Sequence, residues 1–133
     1  MNNCIFCKII KGEIPSYKIY EDEKVYAFLD IANDFYGHTL VVPKTHYENF
    51  FSCSQKDLTN IMASIQTICE HYSKLGFNGA NIITNAGKSS GQEVMHLHFH
   101  IIPRKDEDNV KIYNHQEKLN VDLNEVCEFL KIN

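Results

Sequence analysis

His96-Leu97-His98-Phe99-His100-Ile101-Ile102 alternates imidazole with hydrocarbon over its first six residues. In an extended strand alternate side chains share a face. This spacing therefore predicts three histidines on one side of a sheet and Leu97, Phe99 and Ile101 in a core on the other. At roughly 3.4 Å of rise per residue the imidazoles stand about 7 Å apart at the backbone, near enough for their side chains to converge on one ligand. Two kinds of site use such a row: a metal centre with neutral imidazole ligands, or a polar pocket in which one imidazole is nucleophile and its neighbours position charge.

Working outward, residues 94–102 read as the strand that carries the row, 79–84 as a second strand, and 85–92 as a Gly- and Ser-rich loop between them. A long helix starts after Ser54, which with Asp57 resembles a capping box. Its stripe Leu58, Ile61, Ile65, Ile68, Tyr72, Leu75 follows three-and-four spacing as far as a terminal Gly76. Residues 17–20 and 25–30 form a predicted hairpin around the polar Glu21-Asp22-Glu23-Lys24, and 38–42 a further strand ended by Pro43. Residues 4–11 read as a short helix stopped by Gly12, 121–130 as a final helix, and 32–37 and the charged 104–109 as loops. Short turns rather than repeated helical crossovers join the strands. That predicts an α+β fold, an antiparallel five-stranded sheet with flanking helices.

The chain has 133 residues, 44% of them hydrophobic and 23% charged, which suits a single domain over 1–133 with one core. The motif-bearing part covers about 4–104, leaving 105–133 as a C-terminal extension. A net charge of -4 with mixed signs offers no basic stripe for a nucleic-acid polymer. No apolar run approaches a membrane span or a signal sequence, so a cytoplasmic protein is expected. Five cysteines in such a compartment suggest metal binding or core packing rather than disulfides. Cys69 falls on the apolar stripe of a helix and Cys127 lies in the final helix, and both read as core residues, whereas Cys4-x-x-Cys7 places two thiols one helical turn apart, half of a tetrahedral metal site. Gly87-Lys88-Ser89 superficially resembles the end of a Walker A loop, but Ile82 stands where that loop needs its first glycine.

Three stretches together carry a family resemblance. HLHFHII shows the alternation that names the histidine triad (HIT) family. CIFCKIIKGEIPSYKIYEDEKVYAFLDI (4–31), GHTLVVPKTH (37–46) and NAGKSSGQEVMHLHFHIIPR (85–104) resemble its bacterial-type branch of nucleotide-binding proteins and hydrolases. The resemblance implies a homodimer whose sheet runs across the interface, acting as a purine nucleotide hydrolase or nucleotidyl transferase. Its substrates would be nucleoside phosphoramidates, adenylylated amines such as an AMP-lysine adduct, or dinucleoside polyphosphates. His98 would attack the α-phosphate and form a covalent nucleotidyl-histidine, with His100, His96 and His38 as the other active-site histidines. A free imidazole has a pKa of about 6.5, so near pH 7 much of it offers a lone pair without a strong base. For Nε2 to attack, Nδ1 must hold the proton against an acceptor, which the family takes from a backbone carbonyl.

By the same resemblance Asp30 would accept from the ribose hydroxyls, Ile5, Phe6, Ile9, Phe28 and Ile31 would wall the base, and Asn85, Gly91 and Gln92 would meet the phosphate. Cys4, Cys7, His46 and His96 would bind a structural zinc ion, with no cofactor needed for the chemistry. Glu93 departs from the small hydroxyl residue that many relatives carry there to help protonate the leaving group. Two other classes compete with this reading. One is a nucleotide-binding or scaffolding module with little turnover. The other is a redox-metal enzyme using His96, His98 and His100 as ligands.

Overall fold

The computed structural model describes residues 3–113 and 116–132; positions 1, 2, 114, 115 and 133, which the expected domain of 1–133 includes, lie outside the described residues. Along the chain come α1 (Ile5–Ile10), β1 (Lys18–Glu21), β2 (Val25–Leu29), β3 (Thr39–Pro43), α2 (Gln55–Lys74), β4 (Gly79–Ile83), a 3₁₀ turn (Lys88–Ser90), β5 (Phe99–Arg104) and α3 (Leu123–Leu130). The strands form one sheet in the order β1-β2-β3-β5-β4, and every pairing is antiparallel. This is the α+β architecture that the spacing predicts.

Both faces of the middle of the sheet are covered. On one face α2 lays Ile61, Ile65 and Ile68 against Val25, Ala27, Val41, Leu97, Phe99 and Ile101. On the other, Phe6 and Ile9 of α1 pack on Tyr26, Phe28, Leu40 and Val42. Strands β2 and β3 therefore read as nearly unbroken apolar runs instead of alternating ones. Helix α2 begins as its sequence signal predicts, with the Ser54 hydroxyl accepting from the Asp57 amide at 3.1 Å. It ends at Gly76, whose φ of 106° is the left-handed cap that glycine adopts without strain.

Four expectations need correction. The strand predicted over 94–102 starts only at Phe99 and runs on to Arg104, so His96 and His98 stand before the sheet ladder rather than in it. Strand β3 ends in Pro43, which has no amide hydrogen to continue the pairing. The chain is held instead by Leu97 N donating to the Tyr47 carbonyl at 2.7 Å and by the Thr84 hydroxyl donating to the His98 carbonyl at 2.7 Å. Arg104, predicted to open a loop, closes β5 opposite Gly79. Its guanidinium binds Asp108, Asn81 and the Val110 carbonyl and so ties the following turn to the sheet. Leu75, predicted on the buried stripe, is 58% exposed at the helix end, one residue past the last turn. Cys127, read as a core residue, is exposed because α3 buries none of its residues.

The turn into β3 fixes the approach to the site. Gly37 sits at φ 72°, and a Cβ there would lie 3.1 Å from the Pro103 ring. Both the left-handed backbone and the contact penalise a side chain. Gly37→Ala is expected to lower the unfolding free energy by about 1–2 kcal/mol, read as a fall in the urea midpoint at unchanged slope.

Candidate active site

Helix α1 stands between two polar clusters. Its cap is Cys4, whose sulfur accepts from the Cys7 amide at 3.3 Å, so both thiols lie on the first turn. Facing them are His46, just beyond β3, and His96. The His96 Nε2 lies 2.9 Å from the Pro43 carbonyl, an atom that only accepts, so Nε2 carries the proton and Nδ1 is a bare lone pair. Cys4 Sγ at 3.3 Å, Cys7 Sγ at 3.5 Å and His46 Nδ1 at 3.1 Å all crowd that one lone pair. At most one of them can donate to it.

Burial pushes the Cys7 thiol up to about 11 and the His96 imidazole down to about 4, so neither ionises alone at neutral pH. A cation at the common centre would satisfy all four donors at once. Their ligand atoms lie within 4.8 Å of one another. Two sulfurs and two nitrogens in this arrangement fit one tetrahedral metal ion, and the residues are the four that the sequence singles out.

On the other side of α1 lies a cavity of about 240 Å³, walled by Ile5, Phe6, Ile9, Phe28 and Ile31 and by Asp30, His98 and His100. Leu40, Ile14, Val94 and Glu93 also line it, none of which the sequence distinguishes as a wall from ordinary core or loop. Ile31 is 83% exposed and stands at the open rim rather than in the interior. Asp30 follows β2. Its Oδ1 accepts from the Ala32 amide at 2.8 Å and its Oδ2 lies 3.7 Å from His38 Nδ1.

His98 is buried in this wall with its ring edge-on to Phe6, centroids 5.2 Å apart. Its Nδ1 lies 2.7 Å from the His96 carbonyl, which fixes the proton on Nδ1 and leaves Nε2 with its lone pair. Burial lowers its basicity further, so the ring is neutral at pH 7. The backbone acceptor comes from two residues upstream, which is possible because this segment stands off the ladder and the His96 carbonyl is not committed to a neighbouring strand. The three histidines of the row are thus divided: His96 faces the thiols, while His98 and His100 face the cavity. A shared metal held by all three is not what the geometry offers.

His100 meets a partner the sequence does not pair with it. His38 Nε2 lies 2.8 Å from His100 Nδ1, and His38 Nδ1 lies 2.7 Å from a carboxylate oxygen of Asp34. The sequence places Asp34 in a loop and gives no signal for its role. Burial holds His100 down at about 4, with the neighbouring His98 and His38 rings acting in the same direction.

The loop before the triad behaves differently from the other parts. Gln92 is buried, with its Oε1 accepting from the Gly87 amide and its Nε2 donating to the carbonyls of Glu48 and Val94. Its side chain braces the loop from inside. Gly91 caps the 3₁₀ turn at φ 99°, and Asn85 is half-buried; none of these three is among the described walls of the cavity. Glu93 lines both the cavity and an adjoining groove of about 750 Å³ beside Cys4 and His46.

The HIT domain family model matches residues 11–107. An uncharacterized HIT-like protein of Methanocaldococcus jannaschii is 52% identical over 128 residues, covering 96% of this chain and 98% of its own. The adenosine 5′-monophosphoramidase of Saccharomyces cerevisiae is 42% identical over 104 residues, 78% of this chain and 64% of the yeast protein. Among solved structures, a protein of Streptococcus mutans superimposes with a TM-score of 0.84 at 41% identity, covering 97% of this chain and 82% of that one.

Zinc added to metal-free protein is expected to raise the thermal midpoint, since a ligand of the folded state alone stabilises it by mass action. Cys7→Ser is expected to remove most of that rise, measured by calorimetry in parallel with bound metal by elemental analysis.

Proposed function

The chain belongs to the HIT domain family, and on that premise we propose that it is a purine nucleotide hydrolase or nucleotidyl transferase working through a covalent nucleotidyl-His98 intermediate. The observation that carries the reading is the His98 ring itself. It is neutral, has its proton pinned on Nδ1 by the His96 carbonyl, and sits in the wall of an apolar cavity beside Asp30. In the first step the Nε2 lone pair bonds to the α-phosphorus while the bond to the leaving group breaks, and the leaving group takes a proton. In the second step water attacks the phosphorus, imidazole leaves with its electron pair, and a nucleoside monophosphate is released.

The other groups fit around that displacement. Ile5, Phe6, Ile9 and Phe28 supply area for a purine, with Ile31 at the rim, and the Asp30 carboxylate in the same wall is an acceptor for ribose hydroxyls. His100 turns a ring nitrogen toward the phosphate with His38 hydrogen-bonded behind it, while Asn85 and the Gly91 backbone are neutral donors on a loop that Gln92 holds in shape. The groove next to the cavity, shared through Ile5, Glu93 and Val94, gives the leaving group a way out. Phosphoramidates head the substrate list, since the yeast relative is named for that activity. Adenylylated amines and dinucleoside polyphosphates share the same nucleoside monophosphate half.

Zinc is the ion that the Cys4, Cys7, His46 and His96 set suits, in a closed structural role that pins α1 to the segment carrying His98. A homodimer joined along the sheet is supported by β4, an edge strand whose Ile82 is 49% exposed. Among the described residues no helix is long and apolar enough to cross a membrane. None of the five cysteines is in a disulfide.

Incubation with an adenosine phosphoramidate labelled in the phosphate is expected to leave label on wild-type protein after an acid-free quench, and none on His98→Ala. Turnover of the variant should fall on the order of 10⁴-fold or more. Binding of the nucleotide without turnover in either protein would overturn the enzyme reading in favour of a binding module.

A further inference from the structure

The loop between β2 and β3 is built to a fixed shape. Asn33 at φ 54° and Gly37 at φ 72° turn it twice, the Asp30 amide donates to the His38 carbonyl at 2.9 Å, and the His38 amide donates to the Phe35 carbonyl at 3.2 Å. The result lays Asp34, four residues before His38, directly on the imidazole Nδ1 at 2.7 Å. The same carboxylate oxygen also accepts from the Phe35 amide at 2.9 Å, so the side chain is anchored although about half exposed. From Asp34 an unbroken line of hydrogen bonds runs through His38 to His100 Nδ1. The other ring nitrogen of His100, Nε2, is left for the cavity that His100 helps to line.

Only one hydrogen can lie between His38 Nε2 and His100 Nδ1. When His38 is neutral its proton sits on Nδ1 against Asp34, so His100 must donate from Nδ1, and its Nε2 shows the cavity a lone pair. When His38 takes a second proton from solvent, its Nε2 becomes the donor. His100 Nδ1 must then accept, and the hydrogen of His100 moves to Nε2. One proton gained at His38 thereby turns the atom facing the cavity from an acceptor into a donor.

We propose that Asp34 is a positioning residue which, acting through His38, sets whether His100 presents a hydrogen or a lone pair to the bound phosphate. The proposal rests on the functional reading above only for what the switch is used for. A donor suits an anionic phosphate and a departing amine, and a lone pair suits an attacking water. The charged and titratable groups around His38 are Asp34, Asp30 at 3.7 Å and His100; beyond His100 lie His98 and, across the cavity, Glu93. Both carboxylates lie on the Nδ1 side of His38, while burial keeps His100 from competing for the extra proton.

Long-range nitrogen–proton spectra of the full chain labelled in histidine read the ring protons directly as pH is raised. In the wild type, His38 losing its Nε2 proton should coincide with His100 changing from the Nε2–H to the Nδ1–H form. Asp34→Asn keeps an acceptor but removes the charge, so the midpoint of that coupled change should fall by about one pH unit, with Asp34→Glu restoring it. Above the midpoint kcat of Asp34→Asn on an adenosine phosphoramidate should be about tenfold lower and recover as pH is lowered, with KM little changed. Unchanged His46 and His96 signals certify the fold, and if the Asn variant does not fold, Asp34→Ser, which also removes the charge, is read in its place. A His100 tautomer that stays fixed while His38 titrates, or an Asn variant whose titration overlays the wild type, would overturn the proposal. If the coupled change is present but neither protein turns over nucleotide, the failure belongs to the functional reading and not to the switch.

Discussion

Pro43 has no amide hydrogen, and the organisation of the site follows from that missing donor. The pairing of β3 with β5 runs through Thr39–Ile101, Leu40–His100 and Val41–Phe99 and then stops. The chain before Phe99 is freed from the ladder just where two of its histidines lie. A strand continuing through residue 96 would commit its carbonyls to neighbours and aim its imidazoles in parallel. Released from the sheet, the His96 carbonyl turns to the His98 ring, and the His96 ring turns to the Pro43 carbonyl. One short irregular segment thus fixes the tautomers of two imidazoles with backbone oxygens, which do not titrate.

The separation of duties between neighbouring histidines depends on burial as much as on hydrogen bonds. His96 has no exposed surface and His98 has 8%, so an unpartnered nitrogen on either would carry the full desolvation penalty of a buried polar group, about 1–3 kcal/mol. Among the described residues no buried side-chain nitrogen or oxygen lacks a partner. The enclosure that makes these rings poor bases also keeps them neutral, the form in which imidazole binds a metal or attacks phosphorus. His100 is less enclosed and reaches a second histidine instead of a carbonyl, so its protonation pattern is the one left open to change.

Much of this was legible in the sequence, and the reasons are local. The capping pair Ser54 and Asp57, the three-and-four stripe of α2, the left-handed Gly76 and the apolar runs of β2 and β3 are each set by contacts within a few residues or by simple burial. The grouping of Cys4, Cys7, His46 and His96 was reached through family likeness, because spacing alone gives only the two thiols. What the sequence did not show depends on contacts between distant segments. The late start of β5 comes from Pro43, some fifty positions away. The bracing role of Gln92 depends on the Glu48 carbonyl. Asp34 reaches His38 only because two left-handed residues fold an otherwise ordinary loop. Cys127 and Leu75 carry the right letters for a core but have nothing packed over them.

Helix α1 is only six residues long, yet Phe6 and Cys7, adjacent in the chain, are both buried on it and belong to different clusters. Phe6 touches the edges of His96 and His98 alike. With fewer than two turns in the helix, consecutive residues are enough to reach both clusters. The thiol cluster and the cavity beside His98 therefore share one short helix as their common wall.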